Sequence, residues 1–244
     1  MGRSKEKTKR AAEELHVPYH LVDYSRLNDV VRLANELKTY DRIDVLCNNA
    51  GGAQGARSVT EDGIEKTFQV NVLGGFLLTK LLIDKLCESH ATVIQTASIA
   101  SNLFGADLDV NDFQNEKGYA SLKAYGYSKL DDILFTKELN RRYKDKGISA
   151  VAFEPGVVRT NFGSEMKGFI NFAYHSPLKY LFTISPKRSA KRMINLALGV
   201  PDEDFISGEV YSKNKIMNLK FKDADGIAAI KLWDYCENLA AKFI

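Results

Sequence analysis

Ile43-Asp44-Val45-Leu46-Cys47 runs directly into Asn48-Asn49-Ala50-Gly51-Gly52. Apart from Asp44 the first five residues are apolar and mostly branched, as in a buried-type strand. The next five are small or polar and stop it. Two further segments repeat the pattern: Ala91 to Ser98 ends in polar residues, and Ile148 to Phe153 halts at Glu154-Pro155-Gly156. Tyr19 to Asp23 reads as a short strand ending in an acid, and Phe205 to Tyr211 as a last strand. Helical patterns lie between them, over Ser4 to His16, Ser25 (as a cap) to about Tyr40, Thr60 to Ser89, Ser121 to Lys146, Ser189 to Leu198 and Ala224 to Phe243. A loop of about twenty residues follows Ser98, long enough to suggest a functional role. Strands alternating with helices predict an α/β fold in three layers, a doubly wound parallel sheet covered on both faces. Such sheets bind ligands beyond the carboxyl ends of their strands. Asp23, Asn48 to Gly51, Ser98 and Pro155 to Thr160 fall at those ends.

The 244 residues suit one domain, residues 1–244, with a core of ordinary size; 45% of them are hydrophobic. With 34 basic and 31 acidic residues the net charge is +3, too balanced for a nucleic-acid binder. Cys47, Cys87 and Cys236 are too dispersed for structural zinc and suit a reducing compartment, so a cytoplasmic location is expected. His16, His20, His90 and His175 form no metal-ligand pattern. The longest apolar run, Val72 to Ile83, is too short to span a bilayer and is broken by Lys80.

Tyr125 and Lys129 are four apart in a helical stretch, which places a phenol and an ammonium on one face. A cation beside a phenol favours the phenolate and makes the pair a proton-transfer device. Tyr211 and Lys215 have the same spacing on a strand-like segment, where residues four apart stand roughly 13 Å apart. That second pair reads as coincidence.

Taken together, these segments resemble the short-chain dehydrogenase/reductase family. Asn48-Asn49-Ala50-Gly51 is similar to its NNAG motif, Asn71 to its helical asparagine and Ser98 to its catalytic serine. Tyr125-x-x-Ser128-Lys129 is similar to YxxSK, and Pro155-Gly156-Val157-Val158-Arg159-Thr160 to its PG-x-x-x-T segment. All occur in the family's order. Asp109 to Tyr119 and the stretch from Ser128 to Phe135 resemble the retinol dehydrogenase-like branch. The resemblance implies a Rossmann-type fold and a hydride transfer with a nicotinamide cofactor. It assigns proton exchange to Tyr125, the ribose contact to Lys129, a substrate hydrogen bond to Ser98 and a proton-relaying water to Asn71. Cofactor contacts fall to Asp23, Asn49, Ala50, Gly51, Tyr125, Lys129, Pro155, Gly156, Val158 and Thr160. Arg3, past the presumed second strand, suits the extra phosphate of NADP, with NAD as the alternative.

One family feature is missing. No TGxxxGxG turn occurs in these 244 residues, and Met1 to Ser4 resembles the end of the family's second strand. The expectation is therefore that the first βα unit is absent and that Met1 is an internal methionine. Residues 161–200 are expected to form a substrate loop, where Phe169, Phe172, Tyr174, Tyr180 and Phe182 suggest an apolar alcohol or carbonyl substrate. The helices over Thr60 to Ser89 and Ser121 to Lys146 pair across dimers in related proteins, so a homodimer is an open arrangement. The competing reading is a truncated or non-catalytic protein of the same fold with weak or no cofactor binding.

Overall fold

The structure, a computed structural model, describes residues 1–158, 183–223 and 225–244. Helix α1 (Lys5–Leu15) starts at Ser4, whose hydroxyl accepts from the Lys7 amide, and α2 is Leu27–Lys38. Strand β1 (Val45–Asn48) is followed by α3 (Lys66–Phe68), a π-helical turn (Gln69–Leu73), α4 (Gly74–Leu81) and α5 (Ile83–Glu88). Then come β2 (Thr92–Thr96), α6 (Ala100–Phe104), α7 (Ser121–Tyr143), β3 (Ser149–Glu154), α8 (Pro186–Leu198), β4 (Val210–Ser212), β5 (Lys215–Ile216) and α9 (Ile227–Ala240).

The sheet order is β1-β2-β3-β4-β5. The first four strands are parallel, in a register that sets Cys47 beside Ile94 and Ile94 beside Val151. Among the described residues only β5 is antiparallel, paired with β4. Alternate residues of the parallel strands enter different layers. Val93 and Ala150 join the main core with α2, α4, α7 and α9, whereas Ile94, Val151 and Phe153 meet Met193 and Leu196 of α8. That is the three-layer, doubly wound arrangement expected, and it holds the carboxyl ends of the four parallel strands at one edge.

Several local expectations fail for identifiable reasons. Tyr19 to Asp23 is not a strand: only Leu21 pairs, in a parallel bridge with Gly2. Ser25 does not cap α2, because its amide and hydroxyl both donate to Asp23. Asp62, remote in sequence, accepts from the Leu27 amide instead. The helix expected over Thr60 to Ser89 begins late, since Val59 bridges to Glu65 and the Glu65 carboxylate caps the Thr67 and Phe68 amides. It is then broken by the π-helical turn and again at Leu82. The loop after Ser98 contains α6. Phe205 to Tyr211 contributes only its last two residues to β4, because the backbone turns at Gly208. Tyr211 and Lys215 sit on opposite strands of the β4–β5 hairpin, not on one strand. Most of the expected substrate loop, including its five aromatic residues, lies outside the described residues.

Gly74 shows why the long helical region carries glycine. A β-carbon there would lie 2.2 Å from the Tyr24 ring, so the bare backbone lets that ring pack against α4. Gly74→Ala is expected to cost about 1–3 kcal/mol of stability by overpacking, readable as a lower urea midpoint.

Helix α9 covers the outer face of α4 and α7. Trp233 is buried between Phe76 of α4, at a 5.0 Å centroid distance, and Phe135 of α7, at 5.8 Å. Lys80 seals the edge, donating to Glu237 at 2.7 Å. A dimer pairing through that face would have to displace α9. Among the described residues, no helix is long and apolar enough to cross a membrane.

Candidate active site

Beyond the tips of β1, β2 and β3 lies a cavity of about 580 Å³. Asn49, Gly51, Ser98, Tyr125, Lys129, Pro155, Gly156 and Val158 all line it, alongside apolar Leu103, Phe104, Leu122, Val157 and Met193. Residues from five separate segments thus meet at one place, where a parallel sheet puts its ligands.

Tyr125 and Lys129 come from α7, which crosses under the sheet edge. The Lys129 side chain is only 5% exposed. Its Nζ donates to the Thr96 carbonyl at 2.9 Å and to Asp132 Oδ2 at 2.8 Å, and lies 6.0 Å from the Tyr125 ring centroid. Burial disfavours the Lys129 charge, but Asp132 and then Tyr125 hold it, and the net effect raises its pKa. Burial pushes the Asp132 carboxyl up to about 6 against the pull of Lys129.

Ser98 follows β2 and opens α6. Its carbonyl accepts from the Ser101 hydroxyl at 2.8 Å, and its own hydroxyl accepts from the Ala100 amide at 3.2 Å. Helix α6 is pressed onto α7 where Gly126 has no side chain: a β-carbon there would lie 2.6 Å from Phe104 Cβ and 2.8 Å from the Ala100 carbonyl oxygen. This contact, one residue from Tyr125, brings the serine segment against the tyrosine helix.

Asn71 sits behind the cavity, in the π-helical turn. Its amide nitrogen donates to Ser128 Oγ at 2.9 Å and to the Gly52 carbonyl at 3.0 Å, and its oxygen accepts from the Gly52 amide at 2.9 Å. The extra residue of a π-turn, a feature common at functional sites, carries a side chain that ties the β1 tip to α7. At β3, Glu154 accepts from the Gly156 amide at 2.7 Å and from Ser212 at 3.0 Å, fixing the Pro155-Gly156 corner.

The remaining sequence candidates lie elsewhere. Ala50 is exposed beside Gly51. Arg3 and Asp23 do not line the cavity, but they are mutual neighbours. Burial raises the Asp23 carboxyl, yet hydrogen bonds from Ser25 and the charges of Arg3 and Arg26 bring it below its ordinary value. Thr160 lies outside the described residues.

The fit to a nicotinamide dinucleotide can be judged from the cavity wall. At Gly51, an added β-carbon would come within 3.0 Å of Asn71 Oδ1 and 3.2 Å of Lys129 Nζ, so the wall there is bare backbone against an ammonium. Exposed backbone at Asn49 to Gly51 and a cation beneath it suit the nicotinamide riboside half. No glycine-rich turn occurs in the sequence for the pyrophosphate, and no residue is assigned to it.

Asp131 and Asp132 were overlooked in the sequence, although two carboxylates inside Leu130 to Phe135 are a signal in themselves. Asp132 is three residues from Lys129, within ion-pair reach on a helix. Asp131 is buried, and among the described residues neither of its carboxyl oxygens has a hydrogen-bond partner. Burial, and then Asp132, push its pKa well above the ordinary carboxylate value. A carboxyl raised on folding favours the native state in acid, and that contribution is lost as pH climbs from the unfolded carboxylate range through the raised value. Asp131→Ala is therefore expected to stabilise the protein by about 1–3 kcal/mol near neutral pH. The gain should shrink in acid, as urea unfolding at the two pH values will show.

A family model described as short chain dehydrogenase matches residues 1–168. Human retinol dehydrogenase 14 is 36% identical over 226 residues, which cover 88% of this chain and 64% of that protein. Human retinol dehydrogenase 13 is 34% identical over 244 residues, covering 95% and 73%. The chain thus spans about two thirds of the length of these relatives. Among solved structures, an uncharacterised protein from Mycobacterium paratuberculosis superposes with a TM-score of 0.71 at 25% identity, over 99% of this chain and 83% of that one. With a motif-bearing sheet edge, a matching family model and these relatives, the chain belongs to the short-chain dehydrogenase family, on its retinol dehydrogenase-like branch.

Proposed function

We propose that the protein is an oxidoreductase that interconverts a hydroxyl and a carbonyl on a small apolar molecule, using NADP(H). The observation that carries this reading is the convergence of Ser98, Tyr125 and Lys129 on one cavity whose lining is mainly apolar. A bound nicotinamide supplies or accepts the hydride.

The chain's own residues do the rest. In the reducing direction Tyr125 gives its hydroxyl proton to the substrate oxygen; in the oxidising direction it takes the proton back. Ser98 Oγ holds the same oxygen by a hydrogen bond and so fixes the carbonyl against the phenol. Lys129 holds the nicotinamide ribose and keeps positive charge beside the phenol. Asn49, Ala50, Gly51, Pro155, Gly156 and Val158 form the backbone walls, and Thr160 is assigned the carboxamide. Asn71 anchors Gly52 to α7, and it enters a proton relay only by exchanging one of its present bonds for a water. Leu103, Phe104, Leu122, Val157 and Met193 shed water from the outer cavity, which favours an apolar substrate.

NADP is preferred over NAD because an arginine past the presumed second strand, here Arg3, suits the extra phosphate. Asp23 beside it tempers that preference, and Arg3→Asp tests it. A cytoplasmic location is part of the same proposal. The test of function is NADPH and NADH absorbance with a panel of apolar aldehydes and ketones. Oxidation of NADPH that depends on the carbonyl supports the reading. Loss of neither coenzyme with any of the panel favours a non-catalytic dinucleotide-fold protein.

A further inference from the structure

Lys129 is held by an anion on its own helix. Tyr125, Lys129 and Asp132 lie at i, i+4 and i+7 of α7, one face of the helix. An ammonium has three protons. Asp132 takes one at 2.8 Å and the Thr96 carbonyl another at 2.9 Å, and Gly51 stands close to the same nitrogen. The Lys129 and Asp132 side chains are 5% and 4% exposed, so neither charge is screened by water.

We infer that Asp132 is a positioning residue: it fixes the Lys129 ammonium and offsets its charge at Tyr125, so that a three-residue array, not Lys129 alone, sets the pH at which the phenol works. The inference rests on the reading of Tyr125 as the proton carrier. A lone buried cation acts on the phenol as a monopole. With a carboxylate 2.8 Å behind it, the cation becomes one end of a dipole, whose influence falls off faster with distance.

The groups facing Asp132 make it the anion of the array. On α7 these are Lys129 and Asp131; on α9, Cys236. Burial, followed by Asp131 and Asp132, pushes the Cys236 thiol well up. Asp131 is pushed up by burial and by Asp132. Burial thus drives both toward their neutral forms, whereas the Asp132 carboxyl, facing an ammonium, is raised only to about 6.

The test reads the phenol directly in cofactor-free protein, by NMR of tyrosine labelled at the ring carbon bearing oxygen. Tyr125→Phe identifies the signal. In Asp132→Asn the ionisation midpoint of Tyr125 should fall by about one pH unit, and the pH profile of turnover should move with it. Asp132→Glu, which keeps the charge, should move the midpoint less than half as far. An unmoved midpoint in Asp132→Asn, or an equal shift in Asp132→Glu, overturns the inference. Asp132→Ser supplies a second uncharged variant should Asn not fold; failure of both to fold makes Asp132 a stability residue and also counts against it. Full turnover in Tyr125→Phe would instead remove the proton-carrier reading, an outcome the NMR midpoints do not mimic.

Discussion

Tyr125→Phe is expected to lower turnover by about three orders of magnitude while leaving nucleotide affinity nearly unchanged, because general acid-base catalysis is worth roughly 10²–10⁴-fold. The substitution removes one oxygen from a half-buried ring on α7 and leaves the ring in place. Lys129 keeps its bonds to Thr96 and Asp132, neither of which passes through the phenol oxygen. The walls at Gly51 and Pro155 to Val158 are untouched. Single-turnover rates with NADPH, paired with fluorescence titration of the coenzyme, separate the two quantities. A loss of affinity equal to the loss of rate would place Tyr125 in binding rather than in chemistry.

Lys129→Met is expected to cost about 3–5 kcal/mol of stability, because it strands the Asp132 carboxylate in the core, and to remove activity as well. The sign of its pH dependence follows from that carboxyl. Without Lys129 nothing offsets burial, so the folded-state pKa of Asp132 rises further above the unfolded value. The penalty is then absent in acid, where the carboxyl is protonated in both states, and grows as pH rises through the interval between the two values. Urea unfolding at acid and neutral pH measures this. The double variant Lys129→Met/Asp132→Leu should regain most of the stability, since an apolar pair replaces a buried ion pair at little cost, yet stay inactive. Activity in the double variant would mean that the ammonium serves the fold alone.

Much of the architecture was readable because its signals are local. The buried strands at β1, β2 and β3 announce themselves through short, mainly apolar segments that end in small or polar residues, and their parallel pairing follows from the helices between them. Part of what escaped depends on partners far along the chain: Asp62, 35 residues from Leu27, caps α2 in place of Ser25. Glu65 delays the long helix through local contacts, a bridge to Val59 and a cap on Thr67 and Phe68, that hydrophobic periodicity does not signal. Leu21 meets only Gly2, so an apolar stretch that reads as a strand amounts to a single bridge. Tyr211 and Lys215 are parted by a hairpin turn rather than by spacing along one strand.

The candidate site divides the same way. Tyr125 and Lys129 were legible from helical spacing, and Asn71 only from its resemblance to the family's helical asparagine. The bonds of Asn71 to Gly52 and Ser128 were not, because they join segments 19 and 57 residues away. Asp132 was within reach of the spacing argument, three residues from Lys129. It was missed because a carboxylate on a long charged helix ordinarily points to water, and only packing against α9 shows that this one does not. The Gly126 contact that seats α6 on α7 is likewise a property of two helices and not of either.

The most direct test of the central claim is isotope transfer. Protein incubated with NADPH carrying deuterium at the transferable position, together with an apolar aldehyde, should yield alcohol one mass unit heavier, and Tyr125→Phe should yield almost none. Unlabelled alcohol, or labelled alcohol formed equally by both proteins, would contradict the account.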